Sequence, residues 1–264
     1  MITLDGKHIE EFGYRALLDH YHEAIPNIRR KTMTIPGMSG RWDFGSELES
    51  KPFEIPIQAL SDSSVSLQAL QNELVAFLMD EFGNPRELKM VFDYEQDKFY
   101  TVKIDGAVAP VLRAHILRNK TLPLIAHDPF KYSNVESDSY YWGNKVITFE
   151  YPYTFEKDVI DEFEITEPKT KFIDIDGVAV QPVFEITGSA DNFKIWNDNY
   201  EINVGSFSDM SWEIDCKNYV SYKNGIESII DMSHFYLMPG NNPLRFTGTN
   251  IDLSIKINFR EKYN

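Results

Sequence analysis

One stretch of this 264-residue chain keeps a helical period, and nearly all the rest that has a period keeps a strand period. Leu67, Leu70, Leu74, Phe77 and Leu78 recur at three- and four-residue spacing, which puts them on one face of a helix. Asp62 or Ser63 is placed to cap its start, and Gly83 with Pro85 ends it. A single amphipathic helix among many short strands must spend its apolar face on a sheet. The predicted architecture of the first part is therefore α+β, an antiparallel sheet with one helix packed on it.

The strands of that first part alternate with turn signals. Thr3–Ile9 reads as a strand and turn. Lys31–Ile35 alternates and stops at Pro36-Gly37. The segment Gly37–Ser50 holds three glycines and little apolar period, so an exposed loop or arm is expected. Phe53–Ile57 alternates again, and its prolines at 52 and 56 suit a sheet edge. Leu88–Tyr94 and Phe99–Ile104 are predicted to form a hairpin around a polar Glu95–Lys98 turn. Val108–Arg118 and Thr121–Ala126 supply two more strands.

The polar run Ser133–Ser139 is the best linker. Beyond it short strands recur and no helix is predicted. They are Lys145–Tyr151, Phe172–Ile175, Val183–Ile186, Phe193–Trp196, Glu201–Val204, Ser211–Ile214, Tyr219–Tyr222, Phe235–Leu237 and Leu253–Phe259. Turns at Asp176-Gly177, Asn224-Gly225 and Pro239-Gly240 separate some of them. This spacing predicts an all-β sandwich. Two domains follow, residues 1–133 and 134–264, and the length suits two.

Charge agrees with that division. The net charge is −15. Residues 1–133 carry 15 basic and 19 acidic side chains, and residues 134–264 carry 11 and 22. An acidic chain disfavours tight nucleic-acid binding, which needs clustered Lys and Arg. No apolar run reaches the roughly 20 residues of a membrane span. No signal peptide is read at the N-terminus, so a soluble protein made in a cytoplasm is expected. The single cysteine, Cys216, cannot close an internal disulfide.

No residue set points to catalysis. There is no phosphate loop, no Gly-x-Ser-x-Gly elbow and no His-Glu-x-x-His. Cys216 has no nearby histidine to activate it. On a strand His20 and His22 would share a face, as two metal ligands do, but no third ligand is indicated. Asp174-Ile-Asp176-Gly177 has the start of a calcium loop without its remaining ligands. The acidic run Glu156–Glu167 reads as a solvated strand edge. No cofactor or metal is expected. Trp142, Trp196 and Trp212 could instead stack sugars on a β-sandwich, which keeps a carbohydrate-binding adhesin as the alternative.

Four blocks in a fixed order carry a resemblance. They are Lys31–Gly45, His127–Ser133, Pro182–Gly188 and Leu237–Leu244. Within them stand Pro36, Gly37 and Gly40, then Asp128, Pro129 and Phe130, then Pro239, Gly240 and Asn242. In this order the chain resembles the distal tail protein (Dit) family of long, non-contractile-tailed bacteriophages. The resemblance implies a tail-tube-like N-terminal domain and a galectin-like C-terminal sandwich. It implies a hexameric ring joining the tail tube to tail-tip and receptor-binding proteins, at the virion tail tip, in a free phage or a prophage. It implies no enzyme activity. The sugar-binding His-x-Asn-x-Arg cluster of galectins has no counterpart here.

One segment calls for a contact. Met38, Trp42 and Phe44 lie on the glycine-rich arm, and large apolar groups in water cost roughly 25 cal/mol per Å². They are expected to form an interface with a neighbouring copy.

Overall fold

The computed structural model describes residues 2–17, 21–59, 64–108, 119–134 and 162–264. The chain divides into two compact units, Met1–Lys131 (with Asn264) and Tyr132–Tyr263. It is mostly β, with one α-helix, Ser64–Leu78, among the described residues.

In the first unit the sheet runs in the order Lys7–His8, Ile2–Leu4, Leu88–Phe92, Glu95–Ile104, Asn119–Ala126, Lys51–Ala59, Tyr14–Ala16. Tyr21–His22 also pairs with Lys51–Ala59. Alternate residues point into one core. Ile2, Leu4, Phe53, Ile55, Ile57, Met90, Val102 and Leu124 are all buried there. The helix lays its predicted stripe on this core. Leu74 and Leu78 are fully buried, Leu70 and Phe77 pack at the margin, and the Phe77 ring stands 4.7 Å from that of Phe12. Each leucine so buried stabilises the unit by roughly 1.5–3 kcal/mol. Gly13, at φ +71°, lets the chain pass under the helix, because a Cβ there would lie 2.7 Å from Leu70. The capping residues 62 and 63 lie outside the described residues, as do the metal candidate His20 and most of the strand expected at 108–118.

Three expectations in this unit are corrected. Phe53–Ile57 is not an edge: Lys51–Ala59 is flanked on both sides. Its prolines are tolerated because Pro56 turns its carbonyl toward Leu17, so its missing N–H faces that same side. There the two described partner strands, Tyr14–Ala16 and Tyr21–His22, are short. Pro52 has the same parity. The Glu95–Lys98 segment is strand rather than turn, since Phe92 pairs with Glu95 and the chain reverses at Asp93-Tyr94. Its polar residues are paired instead: Lys98 lies 3.1 Å from Glu95 and 3.3 Å from the buried Asp97, and Lys131 lies 3.0 Å from Glu95. The third correction concerns the arm and is described with the candidate site.

The second unit is one eight-stranded sheet built around three long strands, Val183–Trp196, Glu201–Asp215 and Gly240–Asn258. Val183–Trp196 pairs antiparallel with both of the others. Phe163–Ile165 and Lys169–Ile175 pair with Gly240–Asn258. Several strands expected to be short are therefore halves of long ones. The polar and glycine-rich stretches between them are bulges, with left-handed or positive φ at Gly188, Asn192, Gly205, Asp209 and Asn250. At Gly188 no side chain fits, because a Cβ would meet the Asp252 carbonyl oxygen at 2.1 Å. One core fills the unit, with Phe184, Phe193, Phe235 and Phe246 fully buried.

Phe235–Leu237 forms a single bridge to Val180 rather than a strand. Ser133, at the start of the expected linker, is fully buried, and its N–H donates to the Glu261 carbonyl at 2.9 Å; 135–139 lie outside the described residues. The strand expected at Lys145–Tyr151 lies outside the described residues. No described helix is long and apolar enough to cross a membrane.

Candidate functional site: an exposed hairpin arm

The segment expected to be a loop is half of a β-hairpin. Ile28–Met33 pairs antiparallel with Trp42–Leu48 as a separate two-stranded sheet. The Glu49 N–H donates to the Asn27 carbonyl at 2.8 Å and closes its base. Its tip is made by two of the motif residues. Pro36 and Gly37 (φ +86°) occupy the middle of a turn in which the Met38 N–H donates to the Ile35 carbonyl at 3.1 Å. Proline fixes the first corner and glycine takes the positive φ of the second. Gly40, at φ +92°, makes the next bend.

Register places the side chains. Ile28 faces Leu48, and Arg29 faces Glu47 on the opposite side of the ribbon. A bulge follows, with Gly45 at φ +93°. It shifts the phase of the second strand by one residue. Past it Met33 faces Trp42, on the side that carries Arg29, Lys31 and Glu47. Apolar groups thus appear on one side near the base and on the other near the tip. Glu47 accepts from Lys31 and from Arg29, the latter at 2.9 Å, and these bonds hold its carboxyl below the usual carboxylate range. The Trp42 Nε1–H points at the Met38 sulfur, 3.2 Å away.

Every residue from Asn27 to Glu49 is exposed. Trp42 is 52% exposed, Phe44 60%, Met33 50% and Met38 44%. The three residues expected at an interface are therefore on one surface feature. Sequence reading missed Ile28 and Leu48 there and did not single out Met33, because it began the strand at Lys31 and read no partner strand; Ile28-Arg-Arg30 has no alternation to extend it.

The other motif residues are structural. The Asp128 carboxylate accepts from the Phe130 N–H at 3.3 Å and turns the chain at Pro129. Asn242 is buried and clamps the Pro239-Gly240 turn: its amide donates to the Ile173, Met238 and Gly240 carbonyls and its oxygen accepts from the Met238 N–H.

The chemistry-bearing candidates are dispersed. His22 stacks on Phe53 and Phe92. Asp174 and Asp176 sit at the end of an edge strand, and no described group of three His, Cys, Asp or Glu is placed to hold a metal. Cys216 is buried and its thiol is pushed up to about 12, first by burial and then by Asp215. Of the sugar-stacking candidates, Trp212 is buried, Arg245 covers one face of Trp196 at 4.5 Å, and Trp142 lies outside the described residues. Two features were not foreseen. Lys51 and Lys120 are buried lysines that donate to the Tyr100 and Tyr14 hydroxyls, each at 2.9 Å. A pocket of about 680 Å³ in the second unit is lined by mixed charge, including Glu185, Asp215, Lys217 and Lys256.

Residues 7–125 match the family model described as phage tail protein RIFT-related domain. No curated protein matches the chain. Among solved structures, the SPP1 Dit protein, described as a paradigm of the hub adsorption apparatus in phages infecting Gram-positive bacteria, superposes with a TM-score of 0.71 at 16% identity. The match covers 100% of this chain and 98% of that one. The phage P2 baseplate in its activated conformation with Ca matches at a TM-score of 0.39 and 10% identity, over 93% of this chain and 90% of that one. Residues 7–125 thus match a phage tail protein domain, and the whole chain shares the fold of the SPP1 Dit protein.

Proposed function

We propose that this chain is the structural hub of a phage tail tip. Six copies form a ring whose N-terminal, tail-tube-like units surround a channel continuous with the tail. The C-terminal units, galectin-like sandwiches, project outward. The ring joins the tail tube protein to the tail-tip protein and to receptor-binding parts, and it assembles in the cytoplasm of the host bacterium. Net charge −15 opposes adhesion to the DNA that would pass through.

The arm carries this reading. A two-stranded hairpin alone is marginal in water. This one stands with every strand residue exposed and with Met33, Met38, Trp42 and Phe44 in solvent. Such a ribbon gains its burial from a partner. In a cyclic ring each copy offers one patch and receives a different one, which is what a projecting arm supplies. Negative-stain microscopy of the purified full chain tests the proposal. Sixfold rings are expected. A chain that stays monomeric at high concentration overturns it.

A further inference from the structure

A ring needs a receiving surface as well as an arm, and the first unit carries one rigidly displayed apolar group outside the arm. Phe82, at the turn after the helix, is 81% exposed. It is not loose. The Asp80 carboxylate accepts from the Phe82 N–H at 2.9 Å and from the Asn84 N–H at 2.7 Å. The Asp80 N–H donates to the Asn84 carbonyl at 2.8 Å, and the Gly83 N–H to the Asp80 carbonyl at 3.1 Å. Gly83, at φ +81°, completes the turn. With the backbone of the turn already fixed, only the two side-chain torsions of Phe82 are left to order on binding, which suits an interface anchor.

The surroundings of this ring are complementary to the arm in charge. Asp80 and Glu81 precede it. Hydrogen bonds, first that from the Asn84 backbone, hold the Asp80 carboxyl below the usual range, so it stays ionised. Glu81 is exposed and has no ion pair among the described residues. The arm carries the opposite charge. Arg29 and Lys31 are neutralised by Glu47, but Arg30 and Arg41 are exposed and unpaired among the described residues. Arg41 stands beside Trp42, with Met38 against the indole. Sulfur, indole and guanidinium are groups that favour an aromatic face. Within one chain neither side covers the other, since Trp42 and Phe82 are both exposed.

We infer that the Asp80–Asn84 turn, centred on Phe82, receives the arm tip of a second copy of this chain, with Arg41 beside Glu81. This rests on the ring reading above and names the surface that reading leaves open.

The test uses full-length chains with one added cysteine each. Cys216 is fully buried and does not compete. Arg41→Cys chains are mixed with Glu81→Cys chains and oxidised. The linked heterodimer should form about tenfold faster than with Glu227→Cys, an exposed site in the other unit, because a docked pair has a high effective concentration. In a second arm, Arg41→Glu should weaken the ring and Glu81→Arg in the same chain should restore it, with unchanged far-ultraviolet circular dichroism. Rings that form while the heterodimer stays at the control level overturn this inference alone, as does failure of the charge exchange to restore assembly. A wild-type chain that never forms rings overturns the hub reading and this one with it.

Discussion

Two hairpins in this molecule are built by the same rules and kept by different forces. The arm joins Ile28–Met33 to Trp42–Leu48, and the second unit joins Val183–Trp196 to Glu201–Asp215. Both are antiparallel, and both bulge at or beside a glycine with positive φ, Gly45 in one and Gly188 and Gly205 in the other. In the second hairpin Phe184, Ile186, Phe193, Ile195, Ile202 and Ile214 are all fully buried. In the arm nothing is. Turn and bulge chemistry sets the shape of a ribbon. Burial decides whether the ribbon is held by its own chain or awaits another.

The largest break of this comparison should come from the buried ring. Phe193→Ala removes a fully buried side chain and leaves a cavity, costing about 3–5 kcal/mol in urea unfolding of the second unit. A cost below about 1 kcal/mol would mean the unit's core is not packed as described. The bulges come next. Gly188→Ala must push a Cβ against the Asp252 carbonyl, whereas Gly45→Ala meets nothing within 4 Å. Gly188→Ala should cost more than about 2 kcal/mol, and Gly45→Ala about 1 from the positive φ alone. Equal costs would erase the distinction between a buried and a free bulge.

A smaller effect should follow pH. Lys120, buried beside the Tyr14 hydroxyl, has its pKa lowered to about 8 by burial. Unfolded, it would bind its proton up to about 10.4. Between these values the unfolded chain holds more protons, so stability should rise with pH. The burial-lowered Lys51 acts in the same direction. The rise should appear as a climbing thermal midpoint of the first unit from pH 8 to 10, and Lys120→Met should flatten it. An unchanged slope in that variant would assign the rise elsewhere.

Much of this was legible. The helix stripe Leu67–Leu78 stood out because four leucines and a phenylalanine at helical spacing have no strand reading. The Pro36-Gly37 and Pro239-Gly240 turns were legible because each needs one fixed φ and one positive φ. What failed were signals with two meanings. Gly188-Ser-Ala-Asp-Asn192 has the composition of a turn and is a bulge inside one strand, a difference set by Gly240–Asn258 and Glu201–Asp215 on either side. Pro52 and Pro56 mark a missing donor but not the side on which a partner lies. Asp97 is buried in the sheet because Lys98 neutralises it, a pairing that spacing cannot show. Phe82 was not singled out by the sequence at all, and only the structure of the Asp80 turn shows that it stands in solvent.

The smallest effect on folding should come with the largest effect on assembly. Trp42→Ala with Phe44→Ala removes two side chains that touch no core, so circular dichroism and the thermal midpoint of the isolated chain should stay within about 0.5 kcal/mol of wild type. If the arm is the donor patch of a ring, the same pair should weaken each contact by about 2 kcal/mol or more, roughly thirtyfold in dissociation constant, read by light scattering. Proteolysis offers a second view. In the monomer the first cut should fall within Thr34–Arg41, since a tip with no packing opens at little cost, and assembly should protect it. Rings that survive the double substitution would show that the arm is held by something other than its aromatic groups. Loss of the monomer fold would show that Trp42 and Phe44 belong to a core after all, and the contrast between the two hairpins would then be void.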